Sequence, residues 1–164
     1  MKKSIAIILI FILAFVFTGC STTGKDKSKE AAAAKVFNVG EEAKTGDTQI
    51  TVTKVERSAG TEWDKPEEGN EYVIVRLKIE NVGKETIDYN PLYFKLKNSE
   101  GQLLTYSITF EVEKDKTLDS GDLAAGGKKE GSVVFKAKKG DANLELQYFD
   151  NILEKNPSLK FKIA

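Results

Sequence analysis

Residues 69–83 read GNEYVIVRLKIENVG, and this stretch decides the fold. Four apolar residues alternate here with four others: Val73, Val75, Leu77 and Ile79 against Ile74, Arg76, Lys78 and Glu80. Successive side chains of a β-strand point to opposite faces of the sheet. The alternation therefore predicts a strand with one apolar face and one mostly polar face.

The same two-residue period recurs on both sides of this stretch, and the helical period does not. Ile50 and Val52 alternate with threonines, and Val55 is then out of phase, which predicts a β-bulge. Further short strands are predicted at residues 93–97, 103–106, 132–137, 144–149 and 159–163. Phe94 and Phe135 are expected in the core, where aromatic rings bury large apolar areas.

The predicted turns favour antiparallel pairing. Residues 81–84 (NVGK) and 98–101 (NSEG) contain glycine where tight hairpins need a positive φ. No helix-length segment separates the strands, whereas parallel sheets need long crossovers. About seven to nine short strands over residues 36–164 predict an all-β, immunoglobulin-like antiparallel sandwich, with a closed barrel as the alternative.

Three pieces of the chain resemble a known family. They are residues 69–83, residues 90–101 (NPLYFKLKNSEG), and residues 123–135, which contain LAAGG and GSVVF. Together they resemble domain-of-unknown-function family 4352, whose telokin-like, immunoglobulin-like domains are often found on lipoproteins of Gram-positive bacteria. Near Ala125 the usual pattern has a proline before the glycine. The resemblance spans about residues 36–148, implies the sandwich fold, and brings no agreed activity and no catalytic residues.

The N-terminus has the layout of a bacterial lipoprotein signal. Lys2 and Lys3 precede an apolar run, residues 4–19, which ends directly before the lone cysteine, Cys20. The run is shorter than the roughly 20 residues that a spanning helix needs. It resembles a lipobox, although Phe17 is bulkier than the usual leucine, and this implies cleavage between Gly19 and Cys20 with lipid attached to the Cys20 thiol. An uncleaved anchor is the alternative.

Three segments follow from this reading. Residues 1–19 are the predicted signal peptide, residues 20–35 the lipidated cysteine with a disordered tether, and residues 36–164 the β-sandwich domain. Residues 21–30 include no apolar side chain and cannot contribute to a core, so we expect a solvated spacer. The protein is expected on the extracytoplasmic face of the cell membrane.

Composition excludes several classes of chemistry. The chain has no histidine, one methionine at position 1 and one cysteine. With Cys20 acylated, the usual general base and soft metal ligands are absent, so we expect no enzyme activity, no cofactor and no metal. Without Lys2 and Lys3 the 25 basic residues become 23, against 25 acidic residues. A formal charge of −2 gives no general attraction to nucleic acid.

Three clusters are candidate sites. The acidic run from Glu62 to Glu71 surrounds the only tryptophan, Trp63, which would either contact a partner or, as we favour, cap the end of its own sandwich. Residues 115–122 contain three aspartates without the spacing of a calcium loop. The basic run at residues 128, 129, 136, 138 and 139 is interpreted as a solvated strand edge.

The sequence thus predicts a membrane-anchored lipoprotein whose domain binds an unidentified protein or envelope component without catalysis. A small solute- or cation-binding lipoprotein that uses the Glu62–Glu71 loop and Trp63 is the alternative. A passive spacer with no dedicated partner is a third possibility. The oligomeric state is left open.

Overall fold

The computed structural model describes residues 35–108 and 116–164. They form the strands β1 (Val36–Asn38), β2 (Glu42–Thr45), β3 (Thr48–Ser58), β4 (Asn70–Asn81), β5 (Ile87–Tyr89), β6 (Phe94–Lys97), β7 (Leu103–Thr105), β8 (Gly121–Leu123), β9 (Lys128–Lys138), β10 (Glu145–Tyr148) and β11 (Leu159–Lys162). A 3-10 helix spans Pro91–Tyr93. Within these residues no helix has the length and apolarity to cross a membrane. The predicted signal peptide, the Gly19–Cys20 cleavage site and nearly all of the tether lie outside the described residues.

Two main sheets pack face to face. One has the strand order β1-β11-β10-β6-β7 and the other β2-β3-β4-β9, while β5 and β8 form a separate pair. Both main sheets contribute to one buried apolar cluster. The architecture is the predicted all-β, immunoglobulin-like sandwich. Pairing is antiparallel between all neighbouring strands except β1 and β11, which run parallel with Val36 opposite Lys160.

β4, the strand predicted from residues 69–83, is an inner strand of its sheet. β4 pairs with β3 on one side and with β9 on the other. Its four predicted core residues are each at most 1% exposed: Val73, Val75, Leu77 and Ile79. Phe94 and Phe135, which are 1% and 0% exposed, confirm the aromatic part of the predicted core. Full burial of such a side chain contributes about 1.5–3 kcal/mol.

The bulge predicted in β3 is confirmed. Val52 lies opposite Leu77 and Lys54 opposite Arg76, so Thr53 is the extra residue. Its hydroxyl donates to the Arg76 carbonyl at 3.3 Å. Beyond the bulge Val55 faces the core side again, opposite Val75.

Of the two predicted hairpins, one is confirmed. Residues 98–101 join the paired strands β6 and β7, and Gly101 has a φ of 81°. The Asn98 side chain accepts from the Glu100 and Gln102 amides at 3.1 and 2.8 Å. This closes the turn.

The hairpin predicted at residues 81–84 is wrong. β4 pairs with β3 and β9 but not with β5, so the chain leaves the sheet here. Asn81 is buried, and its Nδ2 donates to the carbonyls of Glu85 and Leu123 at 2.7 and 2.8 Å. Gly83 is not among the glycines with positive φ; its lack of a Cβ instead makes room for the Asp47 side chain.

The strand lengths also differ from those expected. β3, β4 and β9 have 11, 12 and 11 residues and are longer than predicted. β1, β2, β5 and β8, of three or four residues each, were not predicted. The outer face of the four-stranded sheet is not wholly polar. Tyr72, Ile74 and Val134 form a small buried cluster there.

Candidate functional site

The acidic loop between β3 and β4, residues 59–69, is held in place by its own hydrogen bonds. The Thr61 amide donates to the Asp64 carbonyl at 2.9 Å, and the Asp64 amide donates to the Thr61 hydroxyl at 3.1 Å. Gly60 has a φ of 86°, and a Cβ there would lie 2.2 Å from the Asp64 carbonyl oxygen. The turn therefore requires glycine at this position.

Trp63 lies at the tip of this turn and is 83% exposed. The expectation that it caps the end of its own sandwich is wrong. The Trp63 side chain is not among those packed against the apolar core. Its amide lies 3.3 Å from the Thr61 hydroxyl, so the backbone that carries the exposed ring is fixed.

Asp64 connects the loop to the outer face of the four-stranded sheet. The Tyr72 hydroxyl donates to Asp64 Oδ1 at 2.7 Å. Burial and the neighbouring Asp64 carboxylate raise the pKa of Tyr72 to about 12. The loop is thus fastened to the cluster of Tyr72, Ile74 and Val134.

Two further carboxylates of the acidic run are bound by cations of the protein itself. Glu67 pairs with Lys136 at 3.0 Å. Glu71 pairs with Arg57 and accepts the Gly140 amide at 2.9 Å. Burial alone would raise the pKa of Glu71, but the Gly140 and Arg57 contacts outweigh it and lower that pKa. In the described ranges, no three acidic, histidine or cysteine side chains are grouped so that they could hold a metal ion.

Asp141 joins two neighbouring loops at the same end of the sandwich. Its carboxylate accepts the Ser99 amide and hydroxyl, both at 3.0 Å, and the Asn143 amide at 3.0 Å. The Arg57 guanidinium donates to its carbonyl. These contacts tie the β6–β7 turn to the β9–β10 loop. Trp63 therefore projects from an end of the sandwich whose loops are joined by hydrogen bonds.

The other two clusters from the sequence are also engaged within the domain. Asp119 pairs with Lys129 at 2.6 Å, Asp122 is exposed, and Asp115 lies outside the described residues. In the basic run, Lys128 pairs with Glu80 at 2.6 Å. Four lysines of the run lie on β9, which is an edge strand of its sheet, and Lys139 directly follows this strand. The run was predicted to lie at a strand edge.

Sequence reasoning missed a second set of lysines, on the five-stranded sheet. Residues 94–97 read FKLK and residues 159–162 read LKFK. A period of two places both lysines of each segment on the face opposite the buried residues. The signal was therefore present, but it depends on β6 and β11 sharing one sheet. Lys97 and Lys162 also line a groove of about 510 Å³ beside the β6–β7 turn.

Comparison with known proteins gives a family and a fold. A family model described as Domain of unknown function (DUF4352) matches residues 37–158. The chain is 28% identical over 129 residues to the uncharacterized lipoprotein YjhA of Bacillus subtilis, a match covering 72% of this chain and 59% of that protein. It is 31% identical over 123 residues to the uncharacterized protein YxkC of the same organism, covering 67% of each chain.

A solved structure agrees with the architecture. The crystal structure of the yjhA protein from Bacillus subtilis matches with a TM-score of 0.61 and 23% identity, covering 78% of this chain and 99% of that one. At this identity the likeness shows the fold alone. Among the curated relatives, the match with YjhA spans about three fifths, 59%, of that protein's length.

Proposed function

The chain belongs to the family described as Domain of unknown function (DUF4352), and on this basis we propose that it is a lipid-anchored extracytoplasmic lipoprotein with a non-enzymatic binding domain. Its partner would be a protein or another component of the cell envelope. The anchor is supported by the lipobox-like sequence that ends at Cys20 and by the lipoprotein relative YjhA.

Trp63 is the observation that carries the binding role. It is 83% exposed on a turn fixed by the Thr61–Asp64 hydrogen bonds. Tryptophan is enriched among the residues that dominate binding energy at protein interfaces. Because the turn is already ordered, association would not have to order this backbone. An exposed indole on a fixed turn therefore suits a contact residue better than a structural one.

The test of the binding role compares two exposed apolar side chains. Trp63→Ala should weaken capture of the partner from whole cells by about 30-fold, the effect of removing a residue worth about 2 kcal/mol. Leu153→Ala is the matched control, since Leu153 is 85% exposed and lies in the β10–β11 loop. Both variants should melt at the wild-type temperature. Equal capture by Trp63→Ala and wild type would contradict the role of Trp63.

The anchor has its own test. Cys20→Ala should release the protein from the membrane fraction or leave it unprocessed, with the melting temperature of the domain unchanged. Labelling with a radioactive fatty acid should be lost at the same time. A processed Cys20→Ala chain that stays in the membrane fraction would argue against lipid attachment at this residue.

The contacts of the acidic loop do not favour the alternative function, the binding of a small solute or cation. Asp64, Glu67 and Glu71 each bind a partner within the domain. A ligand at 100 times its Kd would add about 2.7 kcal/mol to the free energy of unfolding. We expect no such change with Ca²⁺, and a saturable rise in melting temperature would revive the alternative.

A further inference from the structure

The outer face of the five-stranded sheet carries four lysines on two strands. Strand register places Lys95 of β6 opposite Gln147 of β10, which in turn lies opposite Lys160 of β11. One step along, Lys97, Glu145 and Lys162 form a second row. We call the four lysines, Lys95, Lys97, Lys160 and Lys162, the lysine face.

Sheet geometry sets the spacing of these charges. Neighbouring strands lie about 4.8 Å apart and residues two apart on one strand about 6.7 Å. The four Cα atoms therefore occupy the corners of a rectangle of about 9.6 by 6.7 Å. The intervening residues Leu96, Leu146 and Phe161 are buried on the other side. The lysines thus project from one side of a single sheet.

The positive charges of the lysine face are not neutralised by ion pairs within the described residues. No ion pair found among residues 35–108 and 116–164 includes any of its four lysines. Glu145 is the acidic residue between them, and its carboxylate accepts the Gln147 side-chain amide at 2.7 Å. Lys95 lies over the Phe149 ring at 4.8 Å from its centroid. Within the two rows, four positive charges therefore flank one negative charge, and Glu100 lines the groove beside Lys97 and Lys162.

The opposite face of the sandwich is built differently. On the four-stranded sheet Glu80 pairs with Lys78 and with Lys128, each at 2.6 Å. Glu56 pairs with Lys54 and with Arg76, each at 2.8 Å. Charges are neutralised within that face. In a chain of formal net charge zero, the lysine face thus differs from these paired residues in that its four lysines form none of the ion pairs found among the described residues.

The position of the N-terminal strand indicates what this face would meet. β1 is the edge strand of the same sheet, and its first residue, Val36, lies opposite Lys160. Cys20 precedes Val36 by 16 residues, a length of chain that reaches at most about 55 Å. A lipid on Cys20 would therefore hold the domain within reach of the bilayer surface, and the lysine face lies on the sheet that contains β1, the strand nearest the anchor in sequence.

We propose that the lysine face docks on the anionic headgroups of the bilayer that holds the Cys20 lipid, an inference that rests on the proposed lipid anchor. Positive charge spread over one side of a sheet complements the negative potential of an anionic membrane surface. The four-stranded sheet then faces away from the bilayer. Trp63 lies at the rim of the docked domain, open to a partner.

The test uses the unlipidated chain 21–164, because the described core residues all lie between Ala43 and Ile163 and residues 31–164 form one compact unit. It should sediment with vesicles of phosphatidylcholine and phosphatidylglycerol but not with phosphatidylcholine alone. Lys97→Gln/Lys162→Gln should weaken this binding about 25-fold, roughly fivefold for each lysine. Lys128→Gln/Lys136→Gln removes the same net charge from the other face and should leave binding within about twofold.

Three results would overturn the proposal: no binding to anionic vesicles, equal losses in the two double variants, or binding to soluble polyphosphate that equals or exceeds binding to the vesicles. The last result would assign the face to an anionic polymer. Since the assay contains no lipidated protein, its outcome does not depend on whether Cys20 is acylated. Failure of the anchor in the Cys20→Ala experiment is therefore a separate result.

Discussion

At the residue scale, Asn81 holds together the point where the chain leaves the central sheet. Its side chain bonds the Glu85 and Leu123 carbonyls and accepts the Gly83 amide at 2.9 Å. Its backbone amide and carbonyl bond Gly127 and Gly126. One buried amide thus fixes the segment that follows β4 and the turn before β9.

Asn81→Ala should lower the free energy of unfolding by about 2–4 kcal/mol, because it removes three hydrogen bonds and leaves the Leu123 carbonyl without its amide donor. Asn81→Asp should cost as much, since a carboxylate would face two carbonyl oxygens. Urea denaturation measures both. Asn156→Ala, at an exposed loop residue, is the control and should be neutral. A neutral Asn81→Ala would contradict the assigned role.

Asp141 makes the free energy of unfolding depend on pH in the acidic range. The Asn143 and Ser99 amides hold the pKa of Asp141 below its ordinary value of 3.8. On acidification the unfolded chain therefore takes up this proton before the folded protein does. The stabilisation by Asp141 is complete above the ordinary pKa and is lost as the pH falls through the lowered one.

Asp141→Asn should therefore melt below the wild type at neutral pH, and the difference should shrink as the pH falls below about 4. Thermal melting from neutral to acidic pH measures the difference. Glu62→Gln, which changes an exposed carboxylate, should follow the wild-type curve throughout. A difference between Asp141→Asn and wild type that is constant over the whole range would contradict the pKa assignment.

At the element scale, the bulge in β3 makes a sharp prediction. Deleting Thr53 leaves Val52 and Val55 two residues apart, so every later side chain of β3 keeps its face. We expect cooperative folding with a loss of less than about 2 kcal/mol. Deleting Lys78 from β4 is the control, because it turns one half of the central strand to the wrong face and should abolish folding. Circular dichroism and urea titration distinguish the two; unfolding of the Thr53 deletion would contradict the assigned register.

Strands were predictable from the sequence where burial of one face required apolar residues at every second position. The alternation at residues 73–79 and the misplaced Val55 predicted a core strand and a bulge because one face had to be apolar over many residues. The turn at residues 81–84 failed because asparagine and glycine indicate a turn but not which strands it joins. β1 is defined by its contact with β11, at the far end of the chain, and local pattern holds no such information.

The candidate site was predictable only in part, for a similar reason. Composition singled out Trp63, but its exposure depends on the Thr61–Asp64 turn and on the Tyr72 contact. The lysines of β6 and β11 form one surface only because both strands flank β10. Such surfaces require sheet topology, which a single sequence does not state.

At the scale of the whole molecule, the domain should be independent of the segment before it. A chain that begins at Lys35 should melt within about 2 °C of the chain that begins at Ser21. A chain that begins at Gly40 loses β1, including the contact of the Phe37 and Phe161 rings at 5.8 Å, and should melt several degrees lower. Differential scanning calorimetry compares the three. Equal melting of all three would contradict a structural role for β1.

The parallel pairing of β1 with β11 has a mechanical consequence for a protein held by its N-terminus. Any pull between the anchor and a bound partner enters the domain at Val36 and is directed along β1. The hydrogen bonds to β11 lie across that direction, so they are loaded together in shear rather than opened one at a time. The strand nearest the anchor can thus transmit tension to the core before the sandwich yields.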